Sequence, residues 1–217
     1  MKVCTDSCIL GAWTARRLNG SGQVLDIGTG TGLLSLMLAQ KNRAGFDAID
    51  LDTEACGQAI ENVTDSPWSS NIHVINADAR HYRFSRNYDF IIANPPFFES
   101  DLPSPSSEKN KARHADTLSL EELISVIHHN LQMEGAFCIL LPIHRTDYFE
   151  KLALDKGFSL REKLTIRQTP GHPPFRSILL FERSPAKQIP TQELIIRDEE
   201  GNESPGLLEL LADYYLR

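Results

Sequence analysis

Short apolar runs alternate along the chain with stretches in which apolar side chains recur every three or four positions. The runs at 23–27, 46–51, 72–75, 88–93 and 136–141 have the length and composition of buried strands. Between them, Leu33, Leu34, Met37 and Leu38 share one helical face. Ala55, Cys56, Ala59, Ile60 and Val63 make a second face, and Leu120, Leu123, Ile124, Ile127 and Leu131 a third. Ser119 with Glu122 three residues on predicts a capping box for that third helix, and Gly135 predicts its end. A further helix is predicted at 146–156, then strands near 158–166 and 176–182 with no helical pattern between them. The alternation predicts an α/β fold: a Rossmann-like, doubly wound, seven-stranded, mostly parallel sheet whose last two strands form an antiparallel edge hairpin. No repeat and no linker divides the chain, so 1–217 reads as a single domain. The stretch 97–117 breaks the pattern; rich in Pro, Ser and charge, it predicts a functional or mobile loop.

Composition changes this picture little. With 41% hydrophobic and 24% charged residues the 217-residue chain is that of a soluble globular protein. No apolar stretch approaches membrane-spanning length, and the first residues lack the apolar core of a signal peptide. Cys4, Cys8, Cys56 and Cys138 are scattered, with no Cys-x-x-Cys pair, and read as reduced residues of a cytoplasmic protein. No His, Cys and acid spacing predicts a metal. Charge is more informative. The net value is −7, which argues against a nucleic-acid partner, yet the stretch 193–213 holds seven acids and one base and so carries nearly all of it. Basic residues cluster elsewhere, at Arg80, Arg83 and Arg86, at Lys109, Lys111 and Arg113, and at Arg161, Lys163, Arg167 and Arg176.

The chemistry starts where the first strand ends, in Asp26-Ile27-Gly28-Thr29-Gly30-Thr31-Gly32. Glycines there let the backbone turn tightly beside a ligand, at the end of the sheet where open α/β proteins bind. The spacing is G-x-G-x-G, neither the dinucleotide fingerprint nor a phosphate loop, since no lysine follows. Asp26 would repel a pyrophosphate but suits a cation. Asp50, at the end of the second strand, can accept both hydroxyls of a ribose, and Asp78, after the third, can accept from an adenine amine. A ribose, a base, a positive group and no phosphate together describe S-adenosylmethionine. On these residues the chain resembles the class I S-adenosylmethionine-dependent methyltransferases. The resemblance implies a cofactor site made by Asp26, Gly28, Thr29, Gly30, Gly32, Asp50, Leu51, Asp78 and Ala79, with Asn94 at its reacting end.

The fourth strand stops at Asn94-Pro95-Pro96-Phe97. In a doubly wound sheet that tip faces the glycine loop. An exocyclic amine on a base is a poor nucleophile because its lone pair is delocalised into the ring. Two acceptors that hold its hydrogens let the nitrogen pyramidalise toward a methyl group, and the Asn94 side-chain oxygen and the Pro95 carbonyl are suited to that. The prolines fix the backbone and bring no N–H to compete. Phe97 offers a ring for stacking the base; Phe98 reads as a core plug or a second stacking partner. The tetrapeptide resembles the (D/N)-P-P-(Y/F/W) motif of enzymes that methylate adenine N(6), guanine N(2) or a glutamine amide. The expected catalytic residues are therefore Asn94, Pro95 and Phe97.

Lys2-Val3-Cys4-Thr5-Asp6-Ser7-Cys8-Ile9-Leu10-Gly11-Ala12-Trp13 is similar to the KVGTDGVLLGAW stretch of bacterial tRNA1(Val) adenine N(6)-methyltransferases. Arg113 to Ser119 and the Leu207 to Leu216 segment, with its DYYL, resemble the same family. The resemblance implies tRNA as the partner, with adenosine 37 of the anticodon loop as target, no DNA, no membrane and no metal. It puts Thr5 and Asp6 near the methionine end of the donor; read alone, Thr5-Asp6 is a helix N-cap. Cys4 stands where the family usually has Gly, and the family usually carries residues ahead of this point, so the N-terminal segment reads as truncated. His128 and His129 read as surface, His114 and His172 as loop residues, His172 at a hairpin tip or near substrate. Guanine N(2) in rRNA, a protein glutamine, or a non-catalytic donor- or RNA-binding scaffold remain alternatives.

Overall fold

The computed structural model describes residues 4–18, 20, 22–96, 118–185 and 188–215. Its centre is one eight-stranded sheet. In chain order the elements are α1 (Thr5–Ala15), β1 (Gln23–Ile27), α2 (Leu33–Ala39), β2 (Gly45–Asp50), α3 (Thr53–Thr64), β3 (Ile72–Asn76), β4 (Tyr88–Ala93), α4 (Leu120–Asn130), β5 (Leu131–Pro142), α5 (Thr146–Asp155), β6 (Ser159–Arg167), β7 (Arg176–Glu182), β8 (Thr191–Ile195) and α6 (Pro205–Leu211). The strand order is β3-β2-β1-β4-β5-β7-β6-β8, parallel from β3 to β5 and antiparallel on both sides of β7. The chain leaves β1 in one direction for β2 and β3, then returns to β1's other side with β4, so a crevice opens between the ends of β1 and β4.

Alternation along each strand builds a core on each face of the sheet. Val24, Phe90 and Ile92 face a layer made by α1, α2 and α6, while Leu25, Ile27, Ile91 and Ala93 face α4 and α5. The predicted capping box is present: Ser119 Oγ accepts from the Glu122 N–H at 3.1 Å and Glu122 accepts from the Ser119 N–H at 2.8 Å.

Three expectations need correction. The sheet has eight strands, not seven, so the hairpin of β6 and β7 is not its edge: β8 pairs in parallel outside β6. β8 escapes the hydrophobic pattern because it is short and solvated, with Leu194 its one buried residue. Its Glu193 meets Arg167 at 2.6 Å, a charged edge of the kind that discourages further pairing. Gly135 does not end a helix. Helix α4 ends at Asn130 and β5 begins at Leu131, with Gly135 inside the strand. A Cβ there would lie 3.0 Å from the Asp89 carbonyl oxygen and 2.9 Å from Leu131 Cδ1, so this glycine permits the close approach of β4. Finally, Thr5 and Asp6 are not N-caps: Cys4 holds that position and α1 starts at Thr5. Every residue of α1 from Ser7 to Ala15 is buried, which erases the one-sided periodicity that would have revealed a helix. Gly11 lets it lie against α2, where a Cβ would come within 2.7 Å of Met37 Sδ.

Candidate active site

Register brings the site together. Ile27 pairs with Ala93 on one side and with Ile49 on the other, so Gly28, Asn94 and Asp50 leave the sheet side by side. They open into a cavity of about 570 Å³, a size suited to a small-molecule ligand. Gly28, Thr29 and Gly30 line it, with Asp50, Leu51, Asp78, Ala79, Asn94 and Pro95 around the rest of the wall.

The glycine loop is held by its own backbone. The N–H groups of Gly28 and Thr29 both donate to the Ile49 carbonyl, at 2.9 and 3.1 Å. Gly28 has φ +73° and a Cβ there would meet nothing within 4 Å, so the requirement is conformational rather than spatial. Asp26 lies beneath the loop, fully buried. Its Oδ2 accepts from Thr29 Oγ1 at 2.7 Å, Ser35 Oγ at 2.8 Å and the Ser35 N–H at 3.3 Å. Burial pushes its carboxyl up to about 6, against the pull of those hydrogen bonds. Asp26 and Gly32 stand behind the cavity wall rather than in it. Asp26 shares β1's face with Val24, toward α2, so it shapes the loop instead of lining the crevice.

Asp50 sits at the rim, half-buried, with Oδ2 accepting from the Gly30 N–H at 2.7 Å and Oδ1 from the Asp52 N–H at 2.9 Å. Asp78 is gripped by Arg80, whose Nε lies 2.9 Å from both carboxylate oxygens and whose guanidinium also reaches Oδ2 at 2.7 Å. That hydrogen-bonded cation holds the Asp78 carboxyl below the usual carboxylate range. Arg80 also reaches Glu122 of α4 at 3.4 Å.

At the reacting end, Asn94 is half-buried and its Nδ2 donates to Ser7 Oγ at 2.8 Å. Its Oδ1 is buried and accepts from no described residue. Pro95 is buried in the wall beside it. Phe97 and Phe98, with the stretch 97–117 that includes His114, lie outside the described residues. Thr5 does not line the cavity; Cys4, Asp6 and Ser7 of the same segment do. Asp6 pairs with Arg176 at 3.1 Å, and both are wall residues. His172 bonds Thr169 Oγ1 at 2.6 Å within the turn between β6 and β7, the hairpin-tip position. The β6 basic cluster is paired rather than displayed: Arg161 with Glu182 at 3.1 Å, Lys163 with Glu150 at 3.0 Å and Arg167 with Glu193. Among the described residues no group of His, Cys, Asp or Glu is arranged to hold a metal ion, and no helix is long and apolar enough to cross a membrane.

Ser7, Arg80 and Arg176 were missed as site residues. Ser7 and Arg176 reach their partners across 87 and 170 positions of sequence, distances over which local pattern is silent.

Comparison with known proteins agrees with this geometry. The model of the methyltransferase small domain matches residues 12–146. A tRNA1(Val) (adenine(37)-N6)-methyltransferase of Dyadobacter fermentans is 42% identical over 100% of this chain and 91% of its own length. Proteins of that description from Bacteroides fragilis and Klebsiella pneumoniae are 39% and 40% identical, again over the whole of this chain and 92% and 89% of theirs. Among solved structures, a predicted O-methyltransferase from Agrobacterium tumefaciens shares the fold, with TM-score 0.70 at 16% identity over 94% of both chains. TrmN from Thermus thermophilus matches with TM-score 0.58 at 26% identity, over 80% of this chain and 48% of that one.

Proposed function

This chain belongs to the methyltransferase small domain family and, within it, to the tRNA1(Val) (adenine(37)-N6)-methyltransferases, and on that footing we propose that it transfers a methyl group from S-adenosylmethionine to N(6) of adenosine 37 in the anticodon loop of tRNA1(Val). Residues 1–217 act as one catalytic domain, in the cytoplasm, on tRNA. The residues of the cavity suit the donor. Asp50 would accept from the ribose hydroxyls, Leu51, Asp78 and Ala79 would border the base, and Gly28, Thr29 and Gly30 would let the backbone approach the donor. Bound there, S-adenosylmethionine supplies a methyl group already activated by its sulfonium.

The protein's own task is then alignment. Asn94 Oδ1 and the Pro95 carbonyl accept the two amine hydrogens of the target adenine. With those hydrogens held, the nitrogen lone pair turns out of the ring plane toward the methyl group. Phe97 stacks on the base. No strong general base is needed: the C–N bond forms as the donor's methyl–sulfur bond breaks and leaves a neutral thioether, and the methylated nitrogen, then cationic and acidic, gives its surplus proton to water. The observation that carries this reading is the buried Asn94 Oδ1, which accepts from no described residue, in the wall beside the glycine loop. Its test is transfer of labelled methyl from the donor to unmodified tRNA, rRNA and protein fractions, with the modified nucleoside mapped by mass spectrometry. N(6)-methyladenosine at position 37 of tRNA1(Val) is expected; label confined to rRNA guanine or to a protein glutamine overturns the reading.

A further inference from the structure

Ser7 lies at the start of α1, is 8% exposed, and belongs to the cavity wall. Its Oγ is 2.8 Å from Asn94 Nδ2 and 3.1 Å from Cys4 Sγ. The Asn94 amide has two polar ends with opposite character: Nδ2 only donates and Oδ1 only accepts. Ser7 takes a hydrogen from the first, and the second is left buried with no described partner. The serine oxygen accepts from Asn94, and its contact with the Cys4 sulfur can be donated from either side. The three groups therefore form a connected chain of amide, hydroxyl and sulfur. With the amide reversed, two N–H donors would occupy the enclosed position, and an amine target would meet donors where it needs an acceptor.

We propose that Ser7 is a positioning residue for methyl transfer: by its hydrogen bond to Asn94 Nδ2 it anchors the nitrogen end of the amide and so holds Oδ1 toward the target amine. The role rests on the functional reading above and extends it to a residue on a different element, 87 positions away in sequence. Ser7 itself touches neither donor nor target in this scheme; it acts through Asn94.

The test compares wild type with Ser7→Ala, which deletes the acceptor, and Ser7→Cys, which nearly keeps the volume but accepts more weakly. Circular dichroism and thermal melts establish that all three are folded. For Ser7→Ala, kcat falls roughly tenfold, the equivalent of one oriented hydrogen bond. The KM for S-adenosylmethionine stays within roughly twofold, because the lost contact matters only at the transition state. Ser7→Cys falls between the two. A packing role predicts instead that the volume-matched Cys is as active as wild type. Unchanged kcat in Ser7→Ala, or full activity in Ser7→Cys, overturns the positioning role and leaves the functional reading standing. If the wild type itself transfers no methyl to tRNA1(Val), the functional reading falls. The hydrogen bond is then judged by the Asn94 side-chain amide NMR signals, identified by their loss in Asn94→Ala. Slower hydrogen exchange of those signals in wild type than in Ser7→Ala supports it, and equal exchange overturns it.

Discussion

The two halves of the cavity are prepared in opposite ways. Where β1, β2 and β3 end, each acid already holds hydrogen-bond donors from the protein: Asp26 has Thr29 and Ser35, Asp50 has the Gly30 and Asp52 amides, and Asp78 has Arg80. Where β4 ends, Asn94 is tied only through its nitrogen and its oxygen is left without a described partner. The first half therefore uses its carboxylates mainly to hold its own shape, and the one oxygen among them without a described partner, Asp26 Oδ1, lies behind the wall; on the proposed function, changes there alter folding or donor affinity. The second keeps one unpartnered acceptor on a residue of the wall itself, so on the proposed function a change there alters rate.

The largest expected effect falls on the second half. Asn94→Ala lowers single-turnover methyl transfer by about 10²–10³-fold, the scale of losing one preorganised polar group at a transition state. Donor affinity measured by calorimetry is retained; a matching loss of donor binding would erase the distinction between the halves. Next comes Asp50→Ala, expected to raise the donor dissociation constant by about tenfold or more, as for a lost hydrogen bond to a charged group. Its kcat at saturating donor stays close to that of wild type.

Asp26 gives a pH signature. Its native pKa of about 6 lies above that of an unfolded aspartate, so its contribution to stability is fully present below pH ~4 and is lost as pH rises through ~6. Relative to Asp26→Asn, the wild type should thus lose about 3 kcal/mol of unfolding free energy between those limits. Urea titrations at several pH values measure the difference, and a gap independent of pH would show that Asp26 titrates alike in the native and unfolded protein. Smallest is Arg80→Ala, costing about 1 kcal/mol at neutral pH because the pair is only partly shielded from water. Asp78 has a lowered native pKa, so this cost is present above the unfolded value and fades as pH falls through the native one.

How much of this the sequence disclosed follows from where each signal resides. The parallel strands and three amphipathic helices are written in local periodicity, and the motifs at the strand ends inherit their positions from it. Asn94, Asp50 and the glycine loop were legible because strand order alone makes them neighbours. Asp26 was legible as important but not in its role, since the sequence does not say that its side chain turns toward Ser35 on α2. Helix α1 and strand β8 were hidden for opposite reasons, one buried on all sides and the other mostly solvated. Thr5 was displaced by its neighbours for a related reason. An N-cap reading alone does not fix which residues of that segment face inward; Cys4, Asp6 and Ser7 do, and Thr5 does not.

The hidden helix also sets the order in which the enzyme can be completed during synthesis. Helix α1, which carries Ser7 and Asp6 to the cavity, is closed over by residues from far along the chain. Leu207, Leu210 and Leu211 of α6 join its apolar cluster, Arg16 donates to the Glu209 carbonyl at 3.0 Å and Trp13 to Gln192 at 3.4 Å. The glycine loop and its strands are translated well before these residues, so a nascent chain holds the parts of a donor site while α1 still lacks its cover. The acidic stretch at 193–213 thus contributes apolar cover to α1, and the reacting end of the cavity gains that support only after residues 192–211 have been made.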